Sequence, residues 1–156
     1  MSKQEVILSE ELTQSLKLAI DKCPHDKLFI LTDEHTNCLC MPRLREIDYL
    51  SGAEEITIGA EDVHKTLETL AGVWKRLGDG NATRHSLLLN LGGGMITDLG
   101  GFAAATFKRG FSYINIPTTL LAMVDASVGG KTGINFNGLK NEVGVFAPAS
   151  SVLIDT

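Results

Sequence analysis

The chain has 156 residues, 44% of them hydrophobic and 21% charged, with a net charge of −5. This is the composition of one ordinary globular domain; no basic stripe suits nucleic acid, no apolar run approaches a membrane span, and Met1-Ser2-Lys3-Gln4-Glu5 lacks the pattern of a signal peptide. Three cysteines, Cys23, Cys38 and Cys40, without a zinc-like C-x-x-C, point to a reduced, cytoplasmic protein.

In chain order, Val6–Leu8 reads as a short strand, and Ser9, followed by Glu10-Glu11, as the cap of a helix to about Lys22. Leu28–Leu31 is a buried strand ending in Thr32-Asp33, and a helix is expected from about Thr36 to Glu46. His35, Cys38 and Cys40 fall in that amphipathic stretch, which favours buried thiols over a metal site. Glu55–Ile58 is a strand. Val63, Leu67, Leu70, Trp74 and Leu77 then recur at helical spacing, and Gly78–Ser86 is a polar loop. Leu87–Leu91 is apolar enough for a strand buried on both faces, and Met95–Phe107 reads as a helix. Strands follow at Tyr113–Ile116 and Val152–Ile154. This alternation predicts a Rossmann-like α/β fold, a mostly parallel sheet with helices on both faces.

Gly92, Gly93 and Gly94 join the central strand to its helix. Three glycines permit positive φ and leave no Cβ in the way of a ligand. A glycine turn feeding a helix N-terminus is an anion site, the logic of a dinucleotide pyrophosphate site. The standard G-x-G-x-x-G is not met, because position 97 is Thr97, and no acid follows about twenty residues on. Asp98 serves equally well as a first-turn acid facing the helix dipole or as a ligand contact. Gly100, Gly101 and Ala103–Ala105 suit close helix–sheet packing.

Further on, Thr118-Thr119 is a good helix N-cap, and Asn137-Gly138 a tight hairpin turn. Asp125, Lys131, Lys140 and Asn141 bracket that hairpin. Gly130-Lys131-Thr132 is not a P-loop, since Asp125 stands where its first glycine is needed. Lysines beside glycine N–H groups suit phosphate, although either lysine alone is ordinary surface. At the carboxyl ends of the strands, Asp33 suits adenosine hydroxyls or a helix cap equally, and Asp62 and Lys65 lie one turn apart, as a surface ion pair or a ribose contact.

The run GGGMITDLGGFAAATFKRG, then PTTLLAMVDASVGGKTGIN and LKN, closely resembles the 3-dehydroquinate synthases of the shikimate pathway. The likeness covers about Ser86 to Thr156, and Asp62-x-x-Lys65 fits a family Glu-x-x-Lys with an acid one methylene shorter. It implies that residues 1–156 are the N-terminal NAD-binding domain, followed in the family by a helical domain holding Zn²⁺ or Co²⁺. The implied reaction converts a sugar phosphate, 3-deoxy-D-arabino-heptulosonate 7-phosphate, to 3-dehydroquinate and phosphate. By the resemblance Asp33, Asp62, Lys65, Gly93, Gly94, Met95, Asp98, Thr118 and Thr119 contact NAD. Asp125, Lys131, Lys140 and Asn141 line the pocket shared by nicotinamide and substrate, Lys131 and Lys140 touching both. A cytoplasmic homodimer is implied for the full-length enzyme.

Two departures stand out. Asn135-Phe136-Asn137 replaces the Asn-His-Pro of many members, and the family's metal-binding Glu and two His have no counterpart among His25, His35, His64 and His85. Family members are roughly twice this length, as two domains require. The chain alone is therefore expected to be inactive. Other readings are a sugar-phosphate cyclase making a different carbocycle, a metal-dependent polyol dehydrogenase of the same superfamily, and a non-catalytic nucleotide-binding module.

Overall fold

The nearly unbroken apolar run Leu87–Leu91 offers water almost no face, and it lies inside the sheet. The structure is a computed structural model describing residues 4–155, apart from the side chains of residues 126–128. Its elements are β1 (Glu5–Ser9), α1 (Leu12–Asp21), β2 (Leu28–Asp33), α2 (Glu34–Leu39), α3 (Met41–Arg45), β3 (Glu54–Ile58), α4 (Leu67–Asp79), β4 (Leu87–Gly92), α5 (Gly94–Thr106), β5 (Ser112–Pro117), α6 (Leu120–Val128), β6 (Lys131–Phe136), β7 (Leu139–Phe146) and β8 (Ser151–Asp155). Six strands form one parallel sheet in the order β1-β8-β5-β4-β2-β3, while β6 and β7 form a separate antiparallel hairpin.

Successive strand residues point to opposite faces, and each face has its own core. Phe29, Leu31, Leu88, Val152 and Ile154 pack with Leu70, Val73 and Leu77 of α4 and with α5. Ile30, Leu87, Leu89, Leu91, Ile114, Ile116 and Leu153 pack with α1 and α3. Each such fully buried aliphatic side chain contributes about 1.5–3 kcal/mol. Helices thus cover both faces, as the alternation of elements predicts.

Helix α5 is apolar all round because it is covered on two sides. A Cβ on Gly100 would fall on the Asn90 amide beneath it, and one on Gly101 would lie 2.6 Å from Thr132 Cγ2 of the hairpin. The two glycines let α5 sit between sheet and hairpin. The hairpin turn takes Asn137 at φ 53 and Gly138 at φ 77, the doubly left-handed geometry that Asn-Gly favours.

Several expectations change. Ser9 stays in β1 opposite Asp155, and Glu11 caps α1 instead, its carboxylate accepting from the N–H groups of Thr13 and Gln14. The helix expected over 36–46 is two short ones, broken at Cys40 ahead of Pro42, whose ring disfavours a continuing helix. The break leaves Cys38 exposed and Cys40 half-buried, so only Cys23 is a buried thiol. Helix α4 begins at Leu67 under a Thr66 cap, and Val63, 71% exposed, lies before it in a 3-10 turn.

Candidate functional site

The chain leaves β2 toward β3 on one side and leaves β4 toward β5 on the other. The connections part at the carboxyl ends of β2 and β4, where open α/β sheets leave a crevice for ligands. Asp33 ends β2 and the glycine turn ends β4.

None of Gly92, Gly93 or Gly94 has positive φ; Gly93 sits extended at φ −82 and ψ −163. Proximity, not left-handed backbone, explains the first two. A Cβ on Gly92 would lie 2.6 Å from Ile96, and one on Gly93 would lie 3.3 Å from Thr119 Cγ2, whereas nothing stands within 4 Å of one on Gly94. Gly93 offers no side-chain cap to α5, so the first N–H groups of a thirteen-residue helix are left without a capping side chain. Backbone donors and the positive dipole end fit an anion there. Met95 is partly buried behind them. Thr118 donates its N–H to the Gly92 carbonyl at 2.9 Å, and Thr119 caps α6, its Oγ1 accepting from Ala122 N at 3.1 Å.

One turn into α5, Asp98 accepts from Lys65 Nζ at 2.7 Å. Lys65 is only 4% exposed, and its ammonium also donates to Asn141 Oδ1 at 2.5 Å. Burial pushes the Asp98 carboxyl above the usual carboxylate range; Lys65 opposes that rise, and the charges of Asp125 and Asp62 add to it. Asp62 and Lys65 are not an ion pair with each other. Asp62 lies in the 3-10 turn and points outward, while Lys65, just past that turn, is directed inward to Asp98.

Asp33 caps α2: its Oδ1 accepts the Thr36 N–H at 2.9 Å in a reciprocal capping box. Asp125, on α6, is exposed and stands close enough for its charge to act on Asp98. Lys131 is exposed at the start of β6. Lys140 borders a hollow of about 380 Å³ between the hairpin tip and the start of α4, whose walls include Asp62, Thr66, Leu67 and Phe136. Asn141, its neighbour in β7, instead meets Lys65. A wider hollow of about 490 Å³ lies at the amino ends of the strands, around His25 to Phe29, away from this chemistry.

Two features went unread in the sequence. Asn135 joins Asp62 to Asn141 through its side-chain amide. Glu61, at φ 73 and ψ 157, and Asn141, at φ 54, hold strained backbone on either side of Lys65. Such strain, of order 1–3 kcal/mol each, tends to collect at functional sites. The single available signal was Asn135 within the Asn-Phe-Asn departure, which names a position without showing what it touches. Among the described residues no group of three His, Cys, Asp or Glu converges as a metal would need. Among those residues no donor set fits Zn²⁺ or Co²⁺.

The family 3-dehydroquinate synthase N-terminal matches residues 55–156. The 3-dehydroquinate synthase of Parabacteroides distasonis is 53% identical over 155 residues, covering 99% of this chain and 44% of that protein. Among solved structures, a 2-epi-5-epi-valiolone synthase from Streptomyces hygroscopicus subsp. jinggangensis, with NAD⁺ and Zn²⁺ bound, superposes with a TM-score of 0.84 at 34% identity, over 99% of this chain and 43% of that one. A 2-deoxy-scyllo-inosose synthase complexed with carbaglucose-6-phosphate, NAD⁺ and Co²⁺ gives 0.86 at 25% identity, over 96% and 42%. The chain thus spans less than half the length of the relatives it matches.

Proposed function

The chain belongs to the 3-dehydroquinate synthase family, and on that premise we propose that it is the NAD-binding domain of an enzyme forming 3-dehydroquinate and phosphate from 3-deoxy-D-arabino-heptulosonate 7-phosphate. The observation that carries this is the buried Lys65 ammonium, held between the half-buried Asp98 and the exposed Asn141, close to a helix N-terminus without a side-chain cap.

NAD, when bound, would supply a hydride acceptor for one substrate carbinol and return the hydride later. The chain's own groups do the rest of the binding work. The N–H groups of Gly94 and Met95, with the open approach past Gly93 and Gly94, would hold the pyrophosphate. Lys65 has three donors and spends two on Asp98 and Asn141, which leaves one for a ligand hydroxyl. Asp98, Asp62 and Asp33 would accept from ribose hydroxyls, and Thr118 and Thr119 border the same turn. Lys131 and Lys140 would stabilise the charge that grows on phosphate as it leaves, and Asp125 and Asn141 would orient the substrate. Zn²⁺ or Co²⁺ would be held by the domain that follows in the full-length enzyme, outside residues 1–156.

This reading makes the chain an N-terminal domain that does not turn over alone and that works in the cytoplasm, in a homodimer when full-length. Among the described residues no helix is long and apolar enough to cross a membrane. The relatives include other sugar-phosphate cyclases, so substrate choice by the full-length enzyme tests the named reaction. A polyol dehydrogenase would release NADH stoichiometrically, whereas the proposed enzyme recycles it.

The deciding experiment is calorimetric titration of NAD into this chain beside Asp98→Ala. Saturable binding lost in the variant supports the reading; equal binding by both removes it.

A further inference from the structure

Asn135 is the joint between the hairpin and the Lys65 segment. Its backbone N–H donates to the Lys65 carbonyl at 2.8 Å. Its Nδ2 donates to Asp62 Oδ2 at 2.9 Å and to the Asp62 carbonyl at 3.3 Å. Its Oδ1 accepts the Asn141 N–H at 2.9 Å. Asn141 sits left-handed at φ 54 inside β7, a conformation that Asn tolerates but does not adopt unprompted. In that conformation its own Oδ1 reaches Lys65 Nζ.

We propose that Asn135 is a positioning residue: by accepting the Asn141 N–H and tying down Asp62, it keeps Asn141 on the buried Lys65 ammonium, and so holds the Lys65–Asp98 pair in a cofactor-ready geometry. The proposal rests on the reading of Lys65, Asp98 and Asn141 as groups that face NAD. The side chain of Asn135 is not what docks the hairpin, since its backbone N–H stays on the Lys65 carbonyl in any variant. The β6–β7 ladder, the buried Ile134 and the contact of Thr132 with Gly101 remain without it. Removing its side chain releases the Asn141 N–H and the reason for the left-handed turn, and the amide oxygen is then free to leave Lys65.

The test is titration of NAD into the chain, Asn135→Ala and Asn135→Asp, with thermal melts and amide hydrogen exchange on the same samples. Asn135→Ala is expected to bind NAD about tenfold more weakly, the scale of one lost polar contact. Its melting temperature should stay within about 3 °C, while exchange at the Asn141 amide quickens. In Asn135→Asp the acceptor for Asn141 survives, but a carboxylate opposes Asp62. Its NAD affinity should also fall below that of the parent chain, because like charge at Asp62 pushes the joint apart.

Parental affinity in Asn135→Ala overturns the proposal. Should Asn135→Ala unfold, the NAD affinity of Asn135→Asp decides, and parental affinity there overturns the proposal. If the parent chain binds no NAD, the proposed function falls. Exchange at Asn141 then judges the joint alone, and unchanged protection in Asn135→Ala overturns it.

Discussion

Gly100 of α5 stands directly over Asn90 of β4, so that a Cβ on the glycine would lie 2.5 Å from the Asn90 Cγ. Asn90 is fully buried and cannot step aside; its Nδ2 donates to Asn115 Oδ1 at 3.1 Å. This contact sets the height of α5 over the sheet, and with it the place of Asp98 two residues earlier. Gly100→Ala is expected to destabilise the chain by about 1–3 kcal/mol through overpacking. A melt should show a drop of several degrees, roughly 2–4 °C per kcal/mol for a chain this size.

Gly94 is the opposite case. Nothing lies within 4 Å of a Cβ placed there, and it begins a helix, where Ala is preferred over Gly. Gly94→Ala should melt at or slightly above the parent temperature and lose NAD affinity by about tenfold or more, because the methyl enters the space an anion needs. Parental affinity in calorimetry would place the cofactor elsewhere.

Asp98 links the site to pH. Its carboxyl is raised above the ordinary value near 3.8, chiefly by burial. The folded chain therefore holds this proton more tightly than the unfolded chain does. The stability it contributes is complete below the unfolded value and is lost as pH rises through the folded value. Asp98→Asn, which resembles the neutral form, should be no less stable than the parent at about pH 7, and the difference should vanish in acid. NAD affinity should fall at about pH 7 and approach that of the parent in acid. Melts at the two pH values check the sign, and a variant much less stable at neutral pH would show that the Lys65 ion pair outweighs burial.

Thr119→Val keeps a methyl against Gly93 but removes the cap of α6. The cost is expected at about 0.5–2 kcal/mol, confined to that helix. Faster hydrogen exchange at the Ala122 amide, whose acceptor is Thr119 Oγ1, would report it.

What the sequence made legible was whatever depends on neighbours in the chain. Leu87–Leu91 followed by three glycines announces a buried strand and a helix entry, and Asn137-Gly138 a hairpin; both stand in the structure. The meeting of Lys65 with Asn141 joins residues 76 apart and exists only once the hairpin docks on α5. No local pattern encodes it. Spacing also misjudged the reach of helices. Val63 fits the apolar period of α4 yet precedes its cap, because Thr66 binding the Thr69 N–H decides where the helix begins. The glycine turn was located correctly for an incomplete reason: closeness to Ile96 and Thr119 demands glycine, and left-handed backbone does not.

Strand β8 is inserted between β5 and β1, so among the described residues β1 pairs with β8 alone. During synthesis β1 must then wait, unpaired, until residues 151–155 have left the ribosome. Strands β3, β4 and β5 can assemble earlier, since each finds a partner already made in β2 or β4. Completion of the sheet is a late, long-range event, and the interval before it is when the nascent chain is most exposed to aggregation.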